Sequence, residues 1–275
     1  MLRAVLAIID TTPGSEAAGA AALRLAERSG AHLGVASMLD LFWAMRDWHR
    51  PLVGLEIALE ADRVADLYAA QSQAVQNLVD RAAGCGIAVE RVDRPSDPVP
   101  AFAVFSHAYD MVVLGQDAAF HLDVRPHMRA AVERICRQLV RPVLVTPAEA
   151  SAGEGVLIGY DGSAAASRAM HLAALLGPGL ELPVRVVSIR PDRVEADTLA
   201  ETGAALLRHH GAQVEPVGLQ GDGAEGERFL RLLAERPPGL MVLGSIGHSG
   251  WREALMGSTT RTLLADARLP LLVGS

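Results

Sequence analysis

The chain has 275 residues, half of them hydrophobic but only 4% aromatic, so its core must be built mainly from Ala, Leu and Val, in two ordinary domains or one large one. A formal charge of −7 and a pI near 5.7 argue against an extended nucleic-acid surface. No run approaches the ~20 apolar residues that span a bilayer.

The N-terminal run Leu2–Ile9 is too short for a signal peptide and stops at a turn, Asp10-Thr-Thr-Pro-Gly-Ser15, so the expected location is the cytoplasm. Its continuous apolar character predicts a strand covered on both faces. Ser15 is placed to cap the Ala-rich helical stretch Glu16–Arg28, and His32–Met38 is a second strand. Residues 40–55 are the least regular part, holding Phe42, Trp43 and Trp48, a cluster expected in the core or between domains, with a break at Pro51. Ile57–Ala83 reads as a long helix with Leu59, Val64, Leu67, Val75, Leu78 and Val79 as its apolar stripe. Strands over Ile87–Val92, Met111–Leu114 and Pro142–Thr146 alternate with helices over Val99–Tyr109 and Met128–Leu139. The composition of Pro147–Gly155 is that of a linker.

The pattern then starts again. Strands are predicted over Gly155–Tyr160, Val184–Ile189, Val214–Leu219, Leu240–Leu243 and Leu269–Val273. Between them lie helices over Ala164–Leu176, Val194–His209, Glu225–Glu235 and Arg252–Asp266. Asp10 matches Asp161, Gly115 matches Gly244, and Pro142-Val-Leu-Val matches Pro270-Leu-Leu-Val. Self-similarity on this scale is a tandem duplication, with domains expected at 1–147 and 155–275. Cys85 and Cys136 are too few for a disulfide scaffold and lack metal-ligand spacing, so both are expected to be buried as small apolar residues.

The stretch most suggestive of chemistry is Gly244-Ser-Ile-Gly247-His-Ser-Gly250, followed by Gly257-Ser258. Glycines between a buried strand and a helix N-terminus expose backbone N–H groups and let an anion approach closely. The competing explanation is that they serve tight turns and close helix–sheet packing. Asp161 likewise has two readings, a ligand contact or a turn residue, and Ser163 reads as a helix N-cap. His248 and Ser249 suit a solvated loop, Trp251 suits packing at a helix start, and His209-His210 suits a helix C-terminus rather than a metal site. No Walker A lysine, Gly-x-Ser-x-Gly elbow or His-Glu-x-x-His helix occurs.

The second half resembles the universal stress protein family. Gly244, Gly247, Gly257 and Ser258 meet the family's Gly-x2-Gly-x9-Gly-Ser/Thr spacing. Asp161-Gly-Ser163 follows the opening strand, and Gly221-Asp-Gly-Ala-Glu225 is similar to the family's glycine turn after the third strand. The resemblance implies an α/β fold of two tandem Rossmann-like domains, each a five-stranded parallel sheet in order 3-2-1-4-5 with helices on both faces. It also implies an adenine nucleotide (ATP, ADP or AMP, with or without Mg²⁺) in the C-terminal domain. Asp161 and Ile189 would lie beside adenine and ribose, Gly221 would supply the turn, and Gly244, Gly247, Gly257 and Ser258 would meet the phosphates. The fifth strands of the two domains would pair within the chain, and a homodimer is allowed.

The first half departs from that pattern. It reads Gly115-Gln-Asp-Ala-Ala-Phe-His121 in place of the glycine loop, and Arg129-Ala130 in place of Gly257-Ser258. Side chains stand where backbone should approach phosphate, and Asp117 adds a negative charge, so no nucleotide is expected there. The long segment from Asp40 to Ala83 is expected to form a separate apolar pocket or to cover the sheet. The expected function is therefore a regulatory, non-catalytic nucleotide-binding stress protein without a metal site of its own. A weak ATPase or autokinase acting through Ser258 or Thr259, and a nucleotide-independent adaptor, are the alternatives.

Overall fold

Each apolar run of the sequence becomes a strand because helices cover it from both sides. In β1 (Ala4–Ile8), Val5, Leu6, Ala7 and Ile8 are all buried. Leu6 and Ile8 face one layer of helices, Val5 and Ala7 the other. A computed structural model describes residues 2–37, 54–92, 98–119, 128–175, 182–245 and 257–274. Phe42, Trp43, Trp48, Pro51, Gly247, His248, Ser249, Trp251 and the side chains of Leu59 and Val64 lie outside the described residues.

The first half continues with α1 (Pro13–Ser29), β2 (His32–Ala36), α2 (Gly54–Gly84), β3 (Val89–Val92) and α3 (Pro98–Ser106). It ends with β4 (Met111–Gly115), α4 (Met128–Gln138) and β5 (Val143–Thr146). The second half repeats the series as β6 (Val156–Gly159), α5 (Ala164–Leu175), β7 (Val184–Arg190), α6 (Arg193–His209) and β8 (Val214–Gln220). It closes with α7 (Glu225–Glu235), β9 (Leu240–Gly244), α8 (Ser258–Asp266) and β10 (Leu271–Gly274).

Among the described residues, ten strands form one sheet in the order β3-β2-β1-β4-β5-β10-β9-β6-β7-β8. Each half is a parallel sheet of order 3-2-1-4-5, and the halves meet where β5 and β10 pair antiparallel, Leu144 opposite Leu272. That pairing removes two of the four edges that separate sheets would expose. Of the two remaining, β8 carries Pro216, a residue tolerated at an edge because it cannot donate to a ladder.

Two cores sandwich the sheet, and both run across the seam. One holds Phe102, Ile135, Leu157, Phe229, Leu243 and Leu263; the other holds Leu33, Leu78, Met111, Ile158, Leu207 and Val242. Burying each such side chain contributes ~1.5–3 kcal/mol.

Two expectations need correction. Helix α1 starts at Pro13, earlier than Ser15 could cap, because proline's preset φ suits the first turn. Ser15 is instead buried in that turn, where its Oγ accepts the Asp10 N–H at 2.8 Å. Cys136 is buried, and the desolvated thiol is pushed up to about 12. Cys85, however, is exposed, because it follows the end of α2 in a tight turn closed by Gly86 at φ +71°.

Candidate functional site

In an open parallel sheet, ligands sit beyond the carboxyl ends of strands where the strand order reverses. In the second half that point lies between β6 and β9. A cleft of about 290 Å³ opens there, on the sheet face covered by α7 and α8. Its apolar wall is made by Val187, Ile189, Phe229 and Leu243, and its polar rim includes Asp161, Arg190, Glu225, Ser258 and Thr259.

Asp161 follows β6, and its Oδ1 accepts the Ser163 N–H at 2.9 Å, a turn that Gly162 permits at φ +76°. Ser163 then caps α5 by accepting the Ala166 N–H at 3.1 Å. Asp161 thus has a turn role, while also lining the cleft. The guanidinium of Arg190 donates to the Asp161 carbonyl and lies 3.2 Å from Glu195, fixing the end of β7 beside Asp161.

The opposite rim is the start of α8. The Gly257 N–H donates to the Ser245 carbonyl at 3.1 Å, and the buried Thr260 hydroxyl donates to the Gly244 carbonyl at 2.8 Å. These bonds hold the first turn of α8 against the end of β9. Among the described residues no side chain caps this helix; its first N–H groups lack intrahelical partners and lie at the rim of the cleft, with the positive end of the helix dipole.

Of the sequence-selected residues, Asp161, Ile189, Gly244, Gly257 and Ser258 come together on this cleft. Gly221 stands behind the wall instead. A Cβ there would come 2.8 Å from Cγ2 of Ile189, and its N–H donates to the Arg190 carbonyl at 2.6 Å. Gly247 lies outside the described residues. Gly244 has a packing reason of its own, since a Cβ would meet the Ala166 nitrogen at 2.6 Å. Its counterpart Gly115 would similarly meet backbone of Gly14 and Ser15 at 2.7 and 2.9 Å. Glycine at this position is therefore required wherever the first helix runs under the fourth strand, in either half. Gly257 and Ser258 are what distinguish the second half.

Sequence reasoning missed Phe229, Val187, Arg190 and Thr260. The amphipathic pattern of α7 pointed Phe229 toward the sheet without saying that it borders an opening. Thr260, three residues beyond Gly257, was a polar signal for the α8–β9 junction.

At the matching place in the first half, side chains bond to the backbone. Asp117 accepts the Gly14 N–H with both carboxylate oxygens, at 3.0 and 3.1 Å, and so supplies an anion at the start of α1. Asp10 accepts the Thr12 N–H, the Thr12 hydroxyl and the Ala119 N–H. Burial raises its carboxyl above the usual carboxylate range, opposed by those hydrogen bonds.

A separate cavity of about 850 Å³ lies on the opposite sheet face, between α1 and α2. Glu16, Gln73, Asn77, Asp80 and Arg81 share its lining with Ile9, Leu78, Ala70 and Ala74. Among the described residues no three His, Cys, Asp or Glu side chains converge as metal ligands, and no helix is long and apolar enough to cross a membrane.

Residues 154–274 match the model of the universal stress protein family. A universal stress protein of Synechocystis sp. is 29% identical over 166 residues, covering 60% of this chain and 57% of that protein. The matched region thus spans less than two thirds of that relative's length. Among solved structures, a universal stress protein from Archaeoglobus fulgidus superposes with a TM-score of 0.70 at 16% identity, covering 99% of this chain and 96% of that one. A functionally unknown protein from Pseudomonas aeruginosa gives 0.62 at 15% identity, covering 99% and 92%. At these identities the structural matches speak to the fold.

Proposed function

Because the chain belongs to the universal stress protein family through its residues 154–274, we propose that its second half binds an adenine nucleotide and uses it as a regulatory signal. Two domains, 1–147 and 155–275, divide the work, with the nucleotide confined to the second. The observation that carries this reading is the N-terminus of α8, which no described side chain caps and which borders the same cleft as Asp161 and Ile189. Phosphate oxygens suit the free N–H groups and the Ser258 and Thr259 hydroxyls, ribose hydroxyls suit the Asp161 carboxylate, and a purine suits the wall of Ile189 and Phe229. Gly247 belongs to the same proposed phosphate set, and Gly221 supports Ile189 from behind. Any Mg²⁺ would be held chiefly through the phosphates, the ordinary arrangement for that ion.

The proposed role is occupancy rather than turnover, in the cytoplasm, with the bound form read by a partner or a second copy of the chain. Thermal-shift titration with ATP, ADP and AMP tests it. At a hundredfold excess over Kd, stabilisation of ~2.7 kcal/mol is expected. Gly257→Arg, which puts a long side chain at the start of α8, should remove the shift. Absence of a shift with all three nucleotides would overturn the proposal.

A further inference from the structure

The degenerate loop of the first half reaches into the second. Gln116 follows Gly115 at the end of β4, and its Nε2 donates to the carbonyls of Leu264 and Ala267, at 2.7 and 3.0 Å. Leu264 belongs to the last turn of α8 and Ala267 is its C-cap residue. Carbonyls at this end of a helix lack intrahelical donors, and the negative end of the dipole adds to their attraction for an N–H group. The Gln116 backbone is itself fixed, its N–H donating to the Thr146 carbonyl of β5 at 2.8 Å.

The arrangement is one-sided. The residue matching Gln116 in the second half is Ser245, whose N–H makes the equivalent bond to Gly274 of β10 at 2.6 Å. Serine has too short a side chain to return the reach. A second link crosses the same junction, where Arg261 of α8 lies 3.5 Å from Glu133 of α4. That pair is partly exposed, so on its own it contributes little.

Helix α8 has only nine residues, so its two ends are not independent. A helix this short is not stable by itself, so what holds its C-terminal turn contributes to the order of the whole, beside the Gly257 and Thr260 bonds at its start and the buried Leu263 and Leu264. Its other end carries Ser258 and Thr259 to the nucleotide cleft. We infer that Gln116 is a positioning residue: from the first half it clamps the C-terminus of α8 and thereby sets the order of the anion-facing first turn of that helix. The loop that no longer serves a phosphate in its own half thus acts on the cleft of the other. Linkage requires the converse, that a ligand holding the first turn tightens the clamp. The consequence for affinity rests on the nucleotide reading above; the consequence for the helix does not.

The test compares Gln116→Met, Gln116→Glu and Gln116→Lys in the full chain, by hydrogen exchange over residues 258–266 without ligand and by ATP titration calorimetry. Methionine keeps the length but removes the donor, glutamate adds a repelled charge, and lysine restores donors at the negative helix end. Expected are faster exchange of the bonded α8 amides in the Met and Glu variants, including the Arg261 N–H that closes the first turn on the Gly257 carbonyl, and Kd weakened about three- to tenfold, in line with the loss of one or two ordinary hydrogen bonds. The Lys variant should stay near the parent protein in both, an ordering that general loss of stability does not produce. Unchanged exchange in the Met and Glu variants, or unchanged Kd despite faster exchange, overturns the clamp. Failure of the parent chain to bind ATP, ADP or AMP overturns the nucleotide reading alone, and the exchange comparison then decides the clamp by itself. Should the Glu variant not fold, the Met and Lys pair gives the same decision.

Discussion

Gly34 and Tyr109 show how closely single positions are specified away from the cleft. The Tyr109 ring lies over the backbone of Gly34 in β2, in the space that a Cβ would need. Its hydroxyl donates to Glu90 at 3.2 Å, and Glu90 in turn lies 2.8 Å from His32. Burial, reinforced by the Glu90 charge, pushes the phenol up to about 12. Gly34→Ala forces the ring from its place, and overpacking of this kind costs about 1–3 kcal/mol. Chemical denaturation should show a lower midpoint with an unchanged slope. Adding Tyr109→Phe to it should recover little, because the ring carbons clash as well as the hydroxyl. A stability equal to that of the parent chain would mean that the ring moves without cost.

At the scale of the element, three helices meet their N-terminal donors in three ways. Asp192 precedes α6 and accepts the Val194 and Glu195 N–H groups, at 2.7 and 3.2 Å, the usual local solution. Helix α1 has no such cap and takes the carboxylate of the distant Asp117. Among the described residues, helix α8 has neither. Asp117→Ala should cost roughly 1–2 kcal/mol by thermal denaturation, the range for losing a charged cap, without creating a nucleotide shift in the first half. A nucleotide shift that persists in a Gly257→Arg, Asp117→Ala double variant would contradict that assignment. These ends also mark what was legible in the sequence. Continuous apolar runs bounded by Gly and Pro announced the strands, and matched Asp10/Asp161 and Gly115/Gly244 pairs announced the repeat. The cap of α1 was misplaced because Asp117 is about a hundred residues away in sequence, and Pro13 hid the true start. The packing role of Gly244 was equally invisible, since its neighbour Ala166 comes from another element. Local chemistry reads off a single chain; approaches between distant segments need the fold.

At the scale of the whole molecule, the seam decides whether two similar sheets behave as one body. Strands β5 and β10 share backbone hydrogen bonds, both cores pass across them, and Gln116 and Glu133 reach from one half to the α8 helix of the other. Such continuity argues that neither half loses its structure while the other keeps it, so the full chain should unfold in a single transition. Scanning calorimetry checks this by comparing the calorimetric enthalpy with the van't Hoff enthalpy, which should agree. Nucleotide offers a sharper form of the same measurement. A ligand that binds the folded second half stabilises whatever unfolds together with it. In a cooperative chain the whole transition moves up together. If the halves were thermally independent, one component would move and the other would stay, and the seam would then be a contact between two domains rather than part of one folding unit.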